Sequence, residues 1–260
     1  MKACFNILQE PLLESCFTYI HMYKSFLPYI EECSEEVNTN TTHYFIMDFS
    51  KRLLEQKDYI KNLKDQGIKV VMCFFDPFIF TDIDELIEYG ILDTVVVFDR
   101  NHINRFENRI KTVYTDYFFN DTVFPKPPQE YKNEICIYGH TNKNTNRHND
   151  WGFDKVDTPS PPTYSNLYSK IQEYAGAYIW DTGLPEKGKG NEVITHCKAK
   201  AIETLMCGRN AYCRDGIKTI NYEKFLKTDS DINSHDVCFN QEDIFKINKE
   251  TIKKFIDKVN

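Results

Sequence analysis

The run from Ile68 to Phe75, IKVVMCFF, constrains this fold more than any other stretch. It is eight residues long, rich in β-formers, and shows none of the apolar–polar alternation of a strand with one wet face. It reads as a strand covered on both faces, and Thr94 to Phe98 repeats the pattern. Strands of that kind belong to parallel sheets with helices on either side. The intervening stretches supply the helices: Lys51 to Gln66, stopped by Gly67; Asp82 to Tyr89, stopped by Gly90; and Asn101 to Arg109. Ahead of them, residues 2–8 form a first strand, and an apolar aromatic helix runs from Pro11 to about Cys33. A polar loop spans 34–42, and His43 to Phe49 is a strand. Lys111 to Phe119 is the last strand of this half.

Residues 120–133, NDTVFPKPPQEYKN, hold three prolines and many polar groups, the best linker in the chain. A second alternating unit follows. Glu134 to Tyr138 is a strand, then a long polar loop carries PSPP at 159–162. Tyr164 to Tyr174 is a helix, Ala177 to Trp180 a strand, and Lys198 to Gly208 a helix. Asn210 to Cys213 and Asp236 to Phe239 are last strands, and Gln241 to Asn260 is an amphipathic C-terminal helix. The expected domains are therefore 1–125, a linker over 126–133, 134–240, and the helix 241–260. In doubly wound sheets ligands bind beyond the strand C-termini, which places the expected site in a cleft between the halves.

Composition narrows the function classes. No run of eighteen apolar residues occurs, so no membrane span is expected, and residues 1–11 do not read as a signal peptide. The nine cysteines are scattered with no C-x-x-C, which predicts a reducing cytoplasm and no disulfide framework. The seven histidines show no metal-ligand spacing, and no metal site is expected. Net charge is −7 and uneven: residues 1–130 carry 13 Lys/Arg against 21 Asp/Glu, and residues 131–260 carry 19 against 18. The chain as a whole lacks the basic footprint of a nucleic-acid binder.

Four places carry chemistry. In KAKAIETLMCG, Lys198 to Gly208, Lys200 and Glu203 share a helix face after a loop that contains Gly188 and Gly190. Loop, helix, Gly, strand is a build that turns free N–H groups toward a phosphate. A cation and a carboxylate there suit a nucleotide diphosphate and its ribose; the same spacing also reads as an ion pair on a solvated face. In ICIYGHTNKNTNR, Ile135 to Arg147, Gly139 admits a phosphate close to the backbone, Thr141 donates to it, and Lys143 and Arg147 neutralise its charge. A solvated polar loop is the alternative. In KVVMCFFDPF, Lys69 to Phe78, Asp76 ends a buried strand among aromatic residues, where desolvation raises a carboxyl pKa toward that of a general base. Its alternative is a turn or cap before Pro77. Asp181, in AYIWDTG, ends a strand just before the Gly-rich loop. Lys187, Lys189, His196 and Lys198, in or beside that loop, serve phosphates or stay in solvent.

Lys-x-x-Glu-x-x-x-x-Gly before a short strand resembles the donor-site helix of GT-B glycosyltransferases. Their fold is α/β, with two Rossmann-like domains facing each other across a cleft. Ile-Tyr-Gly, a hydroxyl residue and two cations at 137–147 resemble more narrowly the DNA β-glucosyltransferases of T-even phages, which glucosylate 5-hydroxymethylcytosine in duplex DNA. The resemblance covers the second half fairly well and the first half mainly through 69–80. It implies that Thr141, Lys143, Arg147 and Lys200 contact the diphosphate and Glu203 the ribose. It makes Asp181 a sugar contact and Asp76 the base. The family has a second Gly where this chain has His140, and Arg where it has Lys143; a lysine offers a point charge and not a fork. The 182–195 loop is longer than the family's.

The sequence therefore predicts an inverting glycosyltransferase with a UDP-sugar donor, UDP-glucose or UDP-arabinose. A divalent metal is allowed but not required. The acceptor implied is a hydroxymethylated or already glycosylated pyrimidine in phage DNA. The base would be flipped from the duplex, with Arg100, Arg105 and Arg109, or Lys143 and Arg147, near its phosphates. The acidic first half argues instead for a small-molecule or protein acceptor. A non-catalytic nucleotide-binding or anti-defence module, or a sugar-nucleotide epimerase, are the other readings. A monomer in the cytoplasm of a phage-infected bacterial host is expected.

Overall fold

The computed structural model describes residues 1–6, 22, 24–34, 36–47, 51–74, 80–138, 152–156, 164–179, 199–214 and 216–260. The chain divides into two compact units, Met1–Thr115 with Ile252–Asn260, and Asp116–Thr251. Each is built on a parallel sheet, as the buried apolar runs require.

The first unit holds six strands, β1 (Lys2–Asn6), β2 (Glu32–Ser34), β3 (His43–Ile46), β4 (Lys69–Phe74), β5 (Thr94–Val97) and β6 (Lys111–Tyr114). Their order in the sheet is β2-β1-β3-β4-β5-β6, with every pairing parallel. The helices described with them include α1 (Lys57–Asp65), α2 (Phe80–Glu88) and the single turn α3 (Ile103–Phe106). Successive residues of β4 serve opposite faces. Val70 and Met72 join Ile60 and Leu63 of α1 and Ile83 and Leu86 of α2 in one core cluster. Val71 and Cys73 are buried too. An aromatic cluster includes Phe5, which stacks on Phe45 at 4.8 Å between ring centroids, with Phe26 at 5.1 Å from Phe5. Phe255 closes the same cluster, 5.4 Å from Phe26.

The second unit holds β7 (Lys132–Tyr138), β8 (Asp154–Val156), β9 (Tyr174–Tyr178), β10 (Asn210–Tyr212) and β11 (Leu226–Lys227), again all parallel, in the order β11-β10-β9-β7-β8. Its helices are α4 (Tyr164–Gln172), α5 (Ala199–Met206) and the first part of α6 (Gln241–Val259), whose residues from Ile252 on belong to the first unit. In both sheets the chain steps first to one side and then to the other, so the second sheet has its switch point between β7 and β9. Ligands of such sheets bind beyond the strand C-termini at that point.

Two readings need correction. Cys33 does not end a helix: Pro28 opens a 3-10 turn at Leu27–Tyr29, and Cys33 lies in β2. Asp236 to Phe239 forms no strand. The Ser234, His235 and Asp236 carbonyls accept instead from side chains, Tyr212 Oη at 2.9 Å, Asn210 Nδ2 at 3.2 Å and Lys227 Nζ at 2.8 Å respectively, and β11 takes the sheet edge. The Pro-rich stretch falls within the second unit. Phe124 stacks on Tyr168 at 4.4 Å, Gln172 donates to the Pro125 carbonyl at 2.6 Å, and Arg209 donates to the Pro128 carbonyl at 3.1 Å. Prolines offer only carbonyls, and here buried side chains of the unit satisfy them. Strands β8 and β11 are additions to the sequence reading. The expected helix over 11–21 lies outside the described residues.

Candidate functional site

Of the residues that carry the donor-site reading, Lys200 and Glu203 are described, and both lie in the crossover between β9 and β10 of the second sheet. β7 ends at Tyr138, and α5 begins after β9 in the crossover to β10. Lys200 is the second residue of α5 and half-buried, in the turn whose N–H groups a helix cannot pair with its own carbonyls. Cations gain little from that position, whereas an anionic ligand gains from both.

Three side chains absent from the sequence reading fix this first turn. The Tyr138 hydroxyl donates to the Lys200 carbonyl at 2.6 Å. The Thr204 hydroxyl, one turn on, donates to the same carbonyl at 2.8 Å. The Tyr138 and Thr204 oxygens lie 3.2 Å apart. The Tyr168 hydroxyl of α4 donates to Glu203 Oε1 at 3.0 Å. Tyr138 is 3% exposed and Tyr168 and Thr204 are fully enclosed. Spacing could have flagged Tyr138, the last apolar residue before Gly139, but not the carbonyl it reaches.

Glu203 sits deeper than a solvated Lys–Glu pair would. It is 6% exposed, and every residue from Ala201 to Met206 is buried. Burial lifts its pKa to about 6. The Tyr168 hydroxyl, the charge of Lys200 and the Tyr138 hydroxyl pull the other way. Burial likewise drives the Tyr138 and Tyr168 phenols well above 10, so both remain proton donors at any physiological pH. Gly208 ends the helix with φ +69°, and a Cβ there would stand 2.9 Å from Pro127 Cγ.

Behind the helix, Arg209 is 3% exposed and donates to carbonyls: Gln172 at 2.9 and 2.7 Å, Gly208 at 3.0 Å, and Pro128. Its guanidinium also lies 4.5 Å from the Tyr131 ring. The Gln172 and Gly208 carbonyls close α4 and α5, where the negative ends of two helix dipoles meet a cation. Asp116 plays a matching part. It is buried, with its pKa raised by desolvation, and it accepts from the Ile220 and Asn221 backbones at 2.9 and 2.8 Å and from Asn221 Nδ2 at 3.0 Å.

In the first unit, Arg105 and Arg109 both bond Asp84, and Arg109 reaches Glu88 at 3.9 Å. Arg100 is exposed in a 3-10 turn. Asp76, Gly139, Thr141, Lys143, Arg147 and Asp181 lie outside the described residues, as do His140, Lys187, Lys189, His196 and Lys198. Among the described residues, no group of three or more His, Cys, Asp or Glu is placed to hold a metal, and no helix is long and apolar enough to cross a membrane. Seven described cysteines are free thiols.

No protein-family model matches the chain, and no curated protein matches it in sequence. Among solved structures, the crystal structure of the GtfA/B complex aligns over 84% of this chain and 53% of its own, at 10% identity and a TM-score of 0.40. This chain thus spans about half the length of that one, and the likeness is too distant to bear on function.

Proposed function

We propose that the chain is an inverting glycosyltransferase that takes a sugar from a UDP-sugar and passes it to a hydroxyl on a modified pyrimidine of DNA. The observation that carries the reading is a single one. Lys200 lies in the first turn of α5, at the switch point of a parallel sheet, with Glu203 one turn on. A helix start and a cation at such a point suit a nucleotide diphosphate.

In this mechanism Lys200, Lys143 and Arg147 stabilise the leaving diphosphate as its charge develops. Gly139 and Thr141 cradle it from the backbone and a hydroxyl. Glu203, one of its oxygens held by Tyr168, accepts from the ribose hydroxyls. Asp181 orients the sugar. Asp76 takes the proton from the acceptor hydroxyl as that oxygen attacks the anomeric carbon, the C–O bond to the diphosphate breaks, and UDP leaves. The side-chain cations do the work for which other transferases use a metal, so a divalent ion is optional.

The test is UDP release from a panel of UDP-sugars with three acceptor conditions: plain duplex DNA, 5-hydroxymethylcytosine duplex, and none. Release that needs the modified duplex, with a matching mass gain on the base, is the expected result. Donor binding without release on DNA moves the acceptor to a small molecule or protein, the reading that the acidic first half favours. Release without any acceptor points to an epimerase-like or hydrolytic enzyme. Asp76→Asn is expected to abolish turnover and keep donor binding; a binding module would be indifferent to it.

A further inference from the structure

We infer that His43 makes the end of α6 an acid-released latch: the last turns of that helix stay on the first sheet while the imidazole is neutral and leave it when the ring takes up a proton. The latch is independent of the donor site. His43 opens β3 and is 4% exposed. It shares a face of the strand with Phe45, two residues on, and the two rings lie 6.3 Å apart. Phe255 of α6 packs on Phe45 at 6.4 Å. Five residues of helix advance about 7.5 Å and two of strand about 6.6 Å, so a helix that crosses Phe45 at Phe255 can bring Asn260 level with His43. The two residues do line one cavity, of about 370 Å³. Lys69, which pairs with His43 between β4 and β3, donates to the Asn260 carbonyl.

The surroundings of the ring have no place for a second proton. Thr42 Oγ1 accepts from the Lys2 N–H at 3.0 Å and donates its one proton to the Lys2 carbonyl at 3.0 Å. It therefore accepts from His43 Nδ1 at 2.9 Å, and Nδ1 carries the ring's hydrogen. Nε2 is buried and has no partner among the described residues. A proton added there would be a buried donor without an acceptor, on a charged ring. Lys69, the Met1 amino group and Lys111 oppose that charge, and Asp93, just before β5, favours it. Lys2 and Glu31 also line the cavity, Lys2 with Glu32 at 3.8 Å and Glu31 with the Met1 amino group at 3.0 Å. On α6, Asp257 and Lys258 are exposed, and Lys258 donates to the Tyr114 carbonyl at 3.4 Å. Burial first, and then the three cations, lower the His43 pKa from 6.5 to about 4. A ring brought into water returns to its ordinary value. The closed state is thus fully favoured above pH 6.5 and loses ground as pH falls toward about 4. The helix end yields before the strand does, because β3 is paired on both sides, by β1 and β4, whereas helix ends fray.

Amide hydrogen exchange of the full chain at pH 7.5 and pH 5, expressed as protection factors, reads the latch. Expected is a loss of protection of about thirtyfold between the two pH values over Phe255–Val259. The amides of Ile244–Asn248, in the part of α6 that belongs to the second unit, keep theirs. His43→Asn leaves an N–H near the place of Nδ1 and cannot take up a proton, so its protection over Phe255–Val259 no longer falls with acid, whatever its level at pH 7.5. Where that variant does not fold, Lys111→Gln on the exposed start of β6 takes its place: one opposing cation is gone, and the loss at pH 5 is smaller than the parent's at low salt. Protection in the parent that ignores pH overturns the inference. So does a loss that spreads equally through both units, which is general acid unfolding, and so does a loss in either variant as large as the parent's, which assigns the acid response to another group.

Discussion

Glu203 and Arg209 are buried charges with opposite solutions. Arg209 is satisfied by main-chain carbonyls at two helix ends. Burial lowers its pKa, yet a guanidinium stays charged at any working pH. Arg209→Ala leaves those carbonyls dry and is expected to cost roughly 3 kcal/mol of stability in urea unfolding. Glu203 answers burial by titrating. Its folded pKa of about 6 lies above the ordinary 4.5, so between those values the folded chain keeps a proton that the unfolded chain has lost. The stability this group contributes is fully present below pH 4.5 and is lost as pH rises through about 6. The loss amounts to about 2 kcal/mol near pH 7.5. Glu203→Gln keeps an acceptor for Tyr168 and cannot ionise. It should be more stable than the parent near pH 7.5, with the gap closing toward about pH 5 in paired urea titrations. A gap that ignores pH would mean that Glu203 ionises as an exposed carboxylate does. None of this was legible in the spacing of Lys200 and Glu203, which says they share a face but not which way the face points. The apolar neighbours Ala201, Ile202, Leu205 and Met206 held the better clue, since a helix so flanked has little solvated face to offer.

At the scale of elements, the buried runs were the legible part. β4 and β5 stand within a residue or two of where continuous apolar stretches put them, because strands buried on both faces must be apolar throughout. β2, β8 and β11 were not legible: they have two or three residues each, at or near a sheet edge, and burial there asks for no pattern. Helix stops were legible, and two glycines separate their causes. Gly67 has φ +86° with nothing within 4 Å of where a Cβ would sit, so Gly67→Ala carries the left-handed backbone cost alone, about 1 kcal/mol. Gly208 has φ +69° and also Pro127 Cγ at 2.9 Å, so Gly208→Ala is expected to cost about twice as much. Thermal or urea unfolding of the two variants side by side checks the ranking; equal losses would show that Pro127 moves aside freely. The C-terminal helix was legible as a helix but not as shared property. Asn248 exchanges two hydrogen bonds with the Phe119 backbone, at 2.9 and 2.8 Å, within the second unit. Two turns later Phe255 fills the aromatic core of the first. Amphipathic periodicity shows an apolar stripe and cannot say that its two ends serve different cores.

Over the whole molecule the deciding quantity is charge. A protein that grips duplex DNA does so largely through phosphates, and this chain carries −7 with the deficit in its first half. The first-unit arginines illustrate how that deficit acts. Arg105 and Arg109 are the cations placed nearest to a DNA-binding role by the sequence, and both are tied to Asp84. A guanidinium held by a carboxylate can still touch a phosphate, but the carboxylate repels the same phosphate at short range. Asp84→Asn removes that repulsion and leaves the amide oxygen as a weaker partner. If these arginines meet DNA, the variant binds 5-hydroxymethylcytosine duplex severalfold more tightly at low salt, and the slope of log affinity against log salt steepens by about one. Fluorescence anisotropy across a salt series measures both. An unchanged slope would remove the Arg105–Arg109 cluster from the DNA path. Acceptor phosphates would then have to be met by Arg100 alone in the first unit, or by Lys143 and Arg147, which the donor diphosphate already claims, and a small-molecule or protein acceptor would become the better account of so acidic a chain.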